Sequence, residues 1–130
     1  MARPRAKKVK ILPTISEDQI QKAVVRHLTL LGNPRCHWFH VPNGGSRNVA
    51  EASKLKAMGT RAGVADLVLT INGRTHFLEL KTTKGKVSAA QKLEKVRAEA
   101  AGATYVVAHG LDAALDQLTQ WGALMVRYQR

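Results

Sequence analysis

The chain has 130 residues, which is enough for one domain with a single modest core. Its hydrophobic content of 45% is ordinary for a globular protein, but its net charge of +12 at pH 7 is not. This excess of positive charge predicts a polyanionic partner, of which nucleic acid is the commonest. A membrane surface is the alternative, and we do not expect it, because the sequence shows neither an apolar run of about 18 residues nor a secretory-signal pattern.

Residues 1–13 are predicted to form a flexible basic arm, and residues 14–130 a single folded domain. The arm carries five cations before any apolar segment: Arg3, Arg5, Lys7, Lys8 and Lys10. It is expected to add contacts to phosphates. The only cysteine is Cys36, which excludes an internal disulfide and a cysteine-based zinc site and suits a reducing cytoplasm.

Two overlapping capping boxes, Thr14-x-x-Glu17 and Ser16-x-x-Gln19, predict a first helix that begins near residue 15 or 17. Its expected apolar stripe is Ile20, Val24, Leu28 and Leu31. Glu17 lies one turn before this stripe and on the same side. Glu17 therefore either approaches a functional site or serves only as a cap, and Gln21 is a second polar candidate on that side.

Residues 36–41 are predicted to form the first strand, which Pro42 ends. The loop from Asn43 to Arg47 contains two glycines, whose open backbone N–H groups would suit a phosphate, although a plain turn explains them equally. Asn48-x-x-Glu51 then predicts a short helix that ends at Gly59. This helix and its exit carry Lys54, Lys56 and Arg61, which either contact DNA or are simply solvated.

The stretch from Gly63 to Lys81 contains two apolar runs joined by Asn72-Gly73. Asn-Gly between such runs predicts a two-residue type I′ hairpin turn, because both residues tolerate positive φ. The resulting register gives the cross-strand pairs Ile71–Arg74, Thr70–Thr75, Val68–Phe77 and Asp66–Glu79. Lys81 then lies diagonally across from Asp66 on the same face, since side chains alternate with period two.

The Asp66–Glu79 pair predicts a metal site. Two carboxylates in directly opposed positions lie about 5 Å apart at Cβ and repel each other. A divalent cation with oxygen ligands at about 2.1 Å would remove that cost. The alternative is a solvated face on which two acids and Lys81 meet by chance. The metal is favoured because the opposite face is strongly apolar, while Val68 and Phe77 half-bury the acidic one.

After the hairpin, residues 82–86 form a polar loop that carries Lys84 and Lys86. Ser88-x-x-Gln91 predicts a capping box at the start of a helix that ends at Gly102. The side chains expected to face inward from this helix are Leu93, Val96 and Ala100.

The apolar, β-branched run at residues 103–108 predicts a buried strand, parallel to the preceding one through a right-handed crossover. A last helix is expected near residues 111–121. Its inward side should carry Leu115, Leu118 and Trp121. Residues 124–128 would add an edge strand or contact a partner chain.

The αβββαβ order, with Asp66 followed thirteen residues later by Glu79-Leu80-Lys81, resembles the PD-(D/E)XK nuclease superfamily. The longer run HVPNGGSRN…KLKAMGTRAGVADLVL…FLELK…S..Q resembles its VRR-Nuc family, including small stand-alone members found in phages. The resemblance covers residues 16–118. It implies an α/β, restriction-endonuclease-like core with a mixed sheet of about four strands flanked by helices. Ala65 stands where the family has proline, a difference that shapes the backbone and removes no ligand.

The resemblance also implies roles for individual residues. Mg²⁺ or Mn²⁺ would be bound by Asp66, Glu79 and the backbone carbonyl of Leu80, with an acid of the first helix, Glu17, completing the site. Lys81 would position or polarise the attacking water. Gln91 would lie near the lysine or the substrate phosphate, in addition to capping its helix. The residues expected to contact the DNA backbone are Asn43, Arg47, Lys54, Lys56, Arg61, Lys84 and Lys86.

The implied function is a metal-dependent endonuclease. Its stand-alone relatives suggest a homodimer that cuts branched, Holliday-junction-type DNA in replication, recombination or repair, in the cytoplasm of a bacterial host, encoded by the host or a phage. The alternatives are a flap, nick or restriction-type endonuclease and a non-catalytic basic DNA-binding protein, which would have no need of the intact acids and lysine. A histidine–metal nuclease is disfavoured because His37 and His40 face opposite sides of a strand, although His40 could still contact substrate.

Overall fold

The computed structural model describes residues 15–42 and 48–125, so the predicted basic arm, Asn43 and Arg47 lie outside the described residues. The elements, in chain order, are α1 (Glu17–Leu31), β1 (Cys36–His40), α2 (Val49–Ala57), β2 (Leu67–Ile71), β3 (Arg74–Lys81), α3 (Ala89–Ala100), β4 (Thr104–His109) and α4 (Leu111–Gln120). None of the helices in these ranges is long and apolar enough to cross a membrane.

The four strands form one mixed sheet in the order β1-β2-β3-β4. β2 is antiparallel to both of its neighbours, whereas β3 and β4 are parallel. The carboxyl ends of β1, β3 and β4 therefore lie at the same edge of the sheet as the start of β2. This arrangement confirms the predicted α/β class and four-stranded mixed sheet, and it gathers the acidic residues of the hairpin at one edge.

The hairpin turns at Asn72-Gly73, as predicted. Both residues have positive φ, 53° and 74°, which is the backbone of a type I′ turn. The pairs from Ile71–Arg74 to Val68–Phe77 are in the predicted register. The ladder ends at Leu67–Leu78, one pair short of the predicted Asp66–Glu79 partnership, because the chain bends at Asp66 before β2 begins.

One face of the sheet packs against α1 and α4 to form the core. β2 and β3 contribute five leucine or isoleucine side chains that are at most 4% exposed: Leu67, Leu69, Ile71, Leu78 and Leu80. α1 adds Ile20, Val24 and Leu28, and α4 adds Leu115 and Leu118, all of which were predicted to face inward. Leu31 is an exception, since it is 39% exposed at the end of α1.

The predicted inward face of α3 is wrong. Leu93 and Val96 are 48% and 65% exposed, and Ala100 is also exposed. The buried residue of this helix is Glu94. The reason is helical phase: Gln91 and Leu93 are two residues apart, about 200° around the helix, so they cannot both face the sheet.

The segment after α4 is hydrogen-bonded to the end of α1 and the residues that follow it. The backbone N–H of Asn33 donates to the Ala123 carbonyl at 2.8 Å, and that of Met125 donates to the Leu31 carbonyl at 2.7 Å. Gly32 and Leu124 form an isolated antiparallel bridge. Residues 126–130, which include most of the segment predicted to form an edge strand or contact a partner chain, lie outside the described residues.

Candidate active site

A cleft of about 610 Å³ opens at the edge of the sheet where β1, β3 and β4 end. Both α1 and α3 begin there. The cleft brings together all six residues proposed from the sequence for catalysis or metal binding: Glu17, Asp66, Glu79, Leu80, Lys81 and Gln91. Gln21 and His40, the two further candidates, also line it.

Asp66 is held at the mouth of the hairpin by three hydrogen bonds. Its Oδ2 accepts from the backbone N–H of Leu80 at 2.7 Å. Its carbonyl accepts from the backbone N–H of Val41 at 2.9 Å, which extends the β1–β2 pairing, and from Nδ1 of His40 at 2.7 Å. A carbonyl can only accept, so this contact places the proton of neutral His40 on Nδ1.

Asp66 thus accepts hydrogen bonds from Leu80, Val41 and His40. The three bonds fix both the backbone and one side-chain oxygen of Asp66 relative to β1 and β3.

Glu79 lies deeper than Asp66 and is only 5% exposed. Its Oε1 accepts from Nε2 of Gln91 at 2.9 Å, whereas its Oε2 is buried without a hydrogen-bond partner. Burial, followed by the neighbouring charge of Asp66, raises the pKa of Glu79 from 4.5 to about 8, although Lys81 opposes the shift. The positive charge of Lys81 therefore does not fully balance the carboxyl groups of Asp66 and Glu79.

A divalent cation would supply the missing positive charge. An unpartnered buried oxygen and two mutually repelling carboxylates are hard oxygen donors of the kind that Mg²⁺ and Mn²⁺ prefer. Within the described ranges no three acidic, histidine or cysteine side chains are grouped closely enough to hold a metal. Asp66 and Glu79 consequently fit as a two-carboxylate site, to which a backbone carbonyl such as that of Leu80 would add.

Glu17 is placed beside the lysine. Its Oε1 lies 3.8 Å from Nζ of Lys81, whose side chain is 13% exposed. The capping box of α1 is formed by Ser16 and Gln19, so Glu17 does not serve as the N-cap. Glu17 thus belongs to the cleft, and its role as a metal ligand stays a prediction.

Gln91 forms the capping box expected of it and also contacts a carboxylate of the cleft. Its Oε1 accepts from the backbone N–H of Ser88 at 2.9 Å and completes the capping box of α3. Its Nε2 donates to Glu79 at 2.9 Å. One amide therefore links the start of α3 to the buried carboxylate.

The chain offers a matched pair of variants to separate these two roles. Gln19→Met removes the capping-box contact of α1, and Gln91→Met removes the equivalent contact of α3. Only Gln91→Met also removes a hydrogen-bond donor to Glu79. Because that donor favours the ionised carboxylate, we expect Gln91→Met to raise the pKa of Glu79 further, by about one pH unit. Side-chain NMR titration of Glu79 checks this, and equal pKa values in the two variants would contradict it.

The described basic residues expected to contact DNA lie on α2, after it, and on the loop after β3, and none of them lines the cleft. Lys54 and Lys56 are exposed on α2, and Lys84 and Lys86 are exposed on the loop after β3. Arg61 donates from Nη2 to Oε2 of Glu94 at 2.9 Å. Its side chain is still 57% exposed, so this ion pair leaves part of the guanidinium accessible.

Three contacts near the site were not predicted from the sequence: the His40–Asp66 bond, the Arg61–Glu94 pair, and a bond from Tyr105 to Gly63. One signal was present in the sequence. Gln91, Glu94 and Ala98 follow each other at spacings of three and four, which is a single helical face in phase with Gln91. That face would have placed Glu94 against the sheet.

Comparison with known proteins gives structural matches only. No protein-family profile matches the sequence, and no curated protein matches it. A solved structure titled "VRR_NUC domain protein" is similar with a TM-score of 0.69 and 25% identity, covering 84% of this chain and 89% of that one. A second, titled "VRR_NUC domain", has a TM-score of 0.55 and 22% identity, covering 80% of this chain and 94% of that one.

Proposed function

Since these likenesses support assignment of the chain to the VRR-Nuc family, we propose that it is a nuclease, and specifically an Mg²⁺- or Mn²⁺-dependent DNA endonuclease. The observation that carries the proposal is the Asp66–Glu79 pair beside Lys81, with one buried oxygen of Glu79 unpartnered. A structural role does not explain why a 5%-exposed glutamate lies next to a second carboxylate.

Each residue of the cleft has a distinct role in this proposal. Asp66 and Glu79 would hold the metal, and Gln91 would keep Glu79 oriented through its amide. A bound Mg²⁺ or Mn²⁺ supplies the acidity that turns water into a nucleophile and neutralises charge on the phosphate. Lys81, largely buried in the cleft, would stabilise negative charge that develops during phosphodiester hydrolysis.

The charge of the chain supports a nucleic-acid substrate. The sequence contains 21 lysine and arginine residues against 9 acidic ones, and four of the acids line the cleft. Cationic side chains contact the backbone and do not by themselves read bases. We therefore propose recognition by DNA shape, with Lys54, Lys56, Lys84 and Lys86 exposed where they can contact phosphates.

The finer proposal follows the family resemblance. We propose branched, Holliday-junction-type DNA as the substrate, cut by a homodimer whose two sites act on symmetric strands. The same resemblance suggests a cytoplasmic enzyme of a bacterial host or its phage, acting in replication, recombination or repair.

A panel of labelled DNAs tests the proposal. Four-way junctions, flaps, nicked duplexes and linear duplexes are each incubated with the protein and Mg²⁺ or Mn²⁺. We expect metal-dependent cleavage, with junctions cut fastest and at symmetric positions. Faster cutting of flaps or nicks would overturn the junction assignment while retaining the nuclease. Binding of all substrates without cleavage of any would overturn the nuclease itself.

A further inference from the structure

The loop that leads into Asp66 lies directly on the first turn of α3. A Cβ atom added at Gly63 would stand 2.3 Å from the carbonyl oxygen of Ala90 and 2.7 Å from the backbone nitrogen of Gln91. Gly63 also has a φ of +85°, which L side chains rarely adopt. The approach of the loop to the helix is therefore as close as backbone atoms allow.

Tyr105 secures this contact from the sheet. It lies in β4, is 2% exposed, and donates its hydroxyl hydrogen to the carbonyl of Gly63 at 3.0 Å. Its backbone pairs with Phe77 in β3, two residues before Glu79. The hydroxyl thus ties the loop before Asp66 to the strand pair that carries Glu79.

The Arg61–Glu94 ion pair is a second contact between this loop and α3, in addition to the one at Gly63. Glu94 is 6% exposed and accepts from Arg61 at 2.9 Å and from Arg97 at 3.2 Å. The loop is consequently held at residues 61 and 63, both within five positions of Asp66. α3 also carries Gln91, which holds Glu79.

We propose that Tyr105 is a positioning residue that sets the separation of Asp66 and Glu79 and thereby the affinity of the site for a divalent cation. This inference rests on the proposed function. α3 contacts Glu79 through Gln91 and contacts the loop before Asp66 at Gly63. The Tyr105 hydroxyl holds Gly63 in place. Residues that orient metal ligands usually affect metal affinity strongly.

Tyr105→Phe tests the proposal because it removes only the hydroxyl. We expect it to weaken Mn²⁺ binding, measured by calorimetry, about fivefold. In cleavage assays the Mn²⁺ concentration for half-maximal rate should rise by a similar factor, with the rate at saturating Mn²⁺ nearly unchanged. Lys95→Met is the matched control. It removes a 2.8 Å hydrogen bond to the backbone carbonyl of Tyr105 without touching the loop, and Mn²⁺ binding should stay at the wild-type level.

Thermal unfolding of each variant is measured alongside. A lower Tm with wild-type Mn²⁺ affinity would show that the hydroxyl is merely structural and would overturn the proposal. Should Tyr105→Phe not fold, Glu94→Leu removes the second contact between the loop and α3 and is expected to weaken Mn²⁺ binding likewise. Unchanged affinity in that variant would also overturn the proposal. Wild-type protein that binds no Mn²⁺ would instead refute the proposed function itself.

Discussion

Replacing Lys81 with methionine is expected to slow metal-dependent DNA cleavage by about 10²–10³-fold. Lys81 lies in the cleft beside Glu79, and its side chain is 13% exposed, so its charge acts with little screening by water. Methionine keeps most of the side-chain volume while removing that charge. Cleavage of a junction substrate under single-turnover conditions, with saturating Mg²⁺, measures the effect.

Two further measurements make this result specific. DNA affinity of Lys81→Met should stay within a few-fold of wild type, because one cation among many is lost. Lys95→Met removes a lysine that pairs with Glu99 on the exposed side of α3, and it should cleave at the wild-type rate. Equal rates for Lys81→Met and wild type would remove Lys81 from the catalytic group.

Replacing Glu79 with glutamine is expected to stabilise the metal-free protein at high pH. The pKa of Glu79 is raised to about 8 in the folded protein, mainly by burial and then by Asp66. The folded protein thus keeps a proton that the unfolded chain releases above a pH of about 4.5. Wild-type stability should fall as the pH rises between these two values, by roughly 2–4 kcal/mol, and glutamine removes this loss.

Urea denaturation of both proteins in EDTA, at pH 5 and pH 9, checks the sign. The free energy of unfolding of wild type should fall more between these pH values than that of Glu79→Gln. Glutamine can still accept from Gln91 and can donate to Asp66, so its fold should be preserved. An identical pH dependence in the two proteins would show that Glu79 is not the buried, proton-holding group described here.

Sequence patterns predicted the parts of the fold that depend on local chemistry. The Asn72-Gly73 turn fixed the hairpin register, because a type I′ turn of two residues leaves only one pairing. The capping boxes at Ser16 and Ser88 marked the starts of α1 and α3 correctly. These features depend on residues within four positions of each other, and so the sequence is sufficient to find them.

The features that were missed depend on long-range packing. Asp66 lies outside the β2–β3 ladder because the chain bends to meet β1 and α3, which no local pattern records. The inward face of α3 was misassigned because its apolar residues, Leu93 and Val96, are exposed, while Glu94 is buried by pairing with Arg61. A buried acid that stays ionised needs a cationic partner, and the partner of Glu94 lies 33 positions away.

The most direct test of the account is cleavage of a junction DNA by wild type and by Asp66→Asn, each with EDTA and with Mg²⁺. We expect cleavage in one of the four reactions, that of wild type with Mg²⁺, while Asp66→Asn binds the junction with nearly wild-type affinity. Cleavage by Asp66→Asn at the wild-type rate, or by wild type in EDTA, would contradict a metal-dependent site at Asp66 and Glu79.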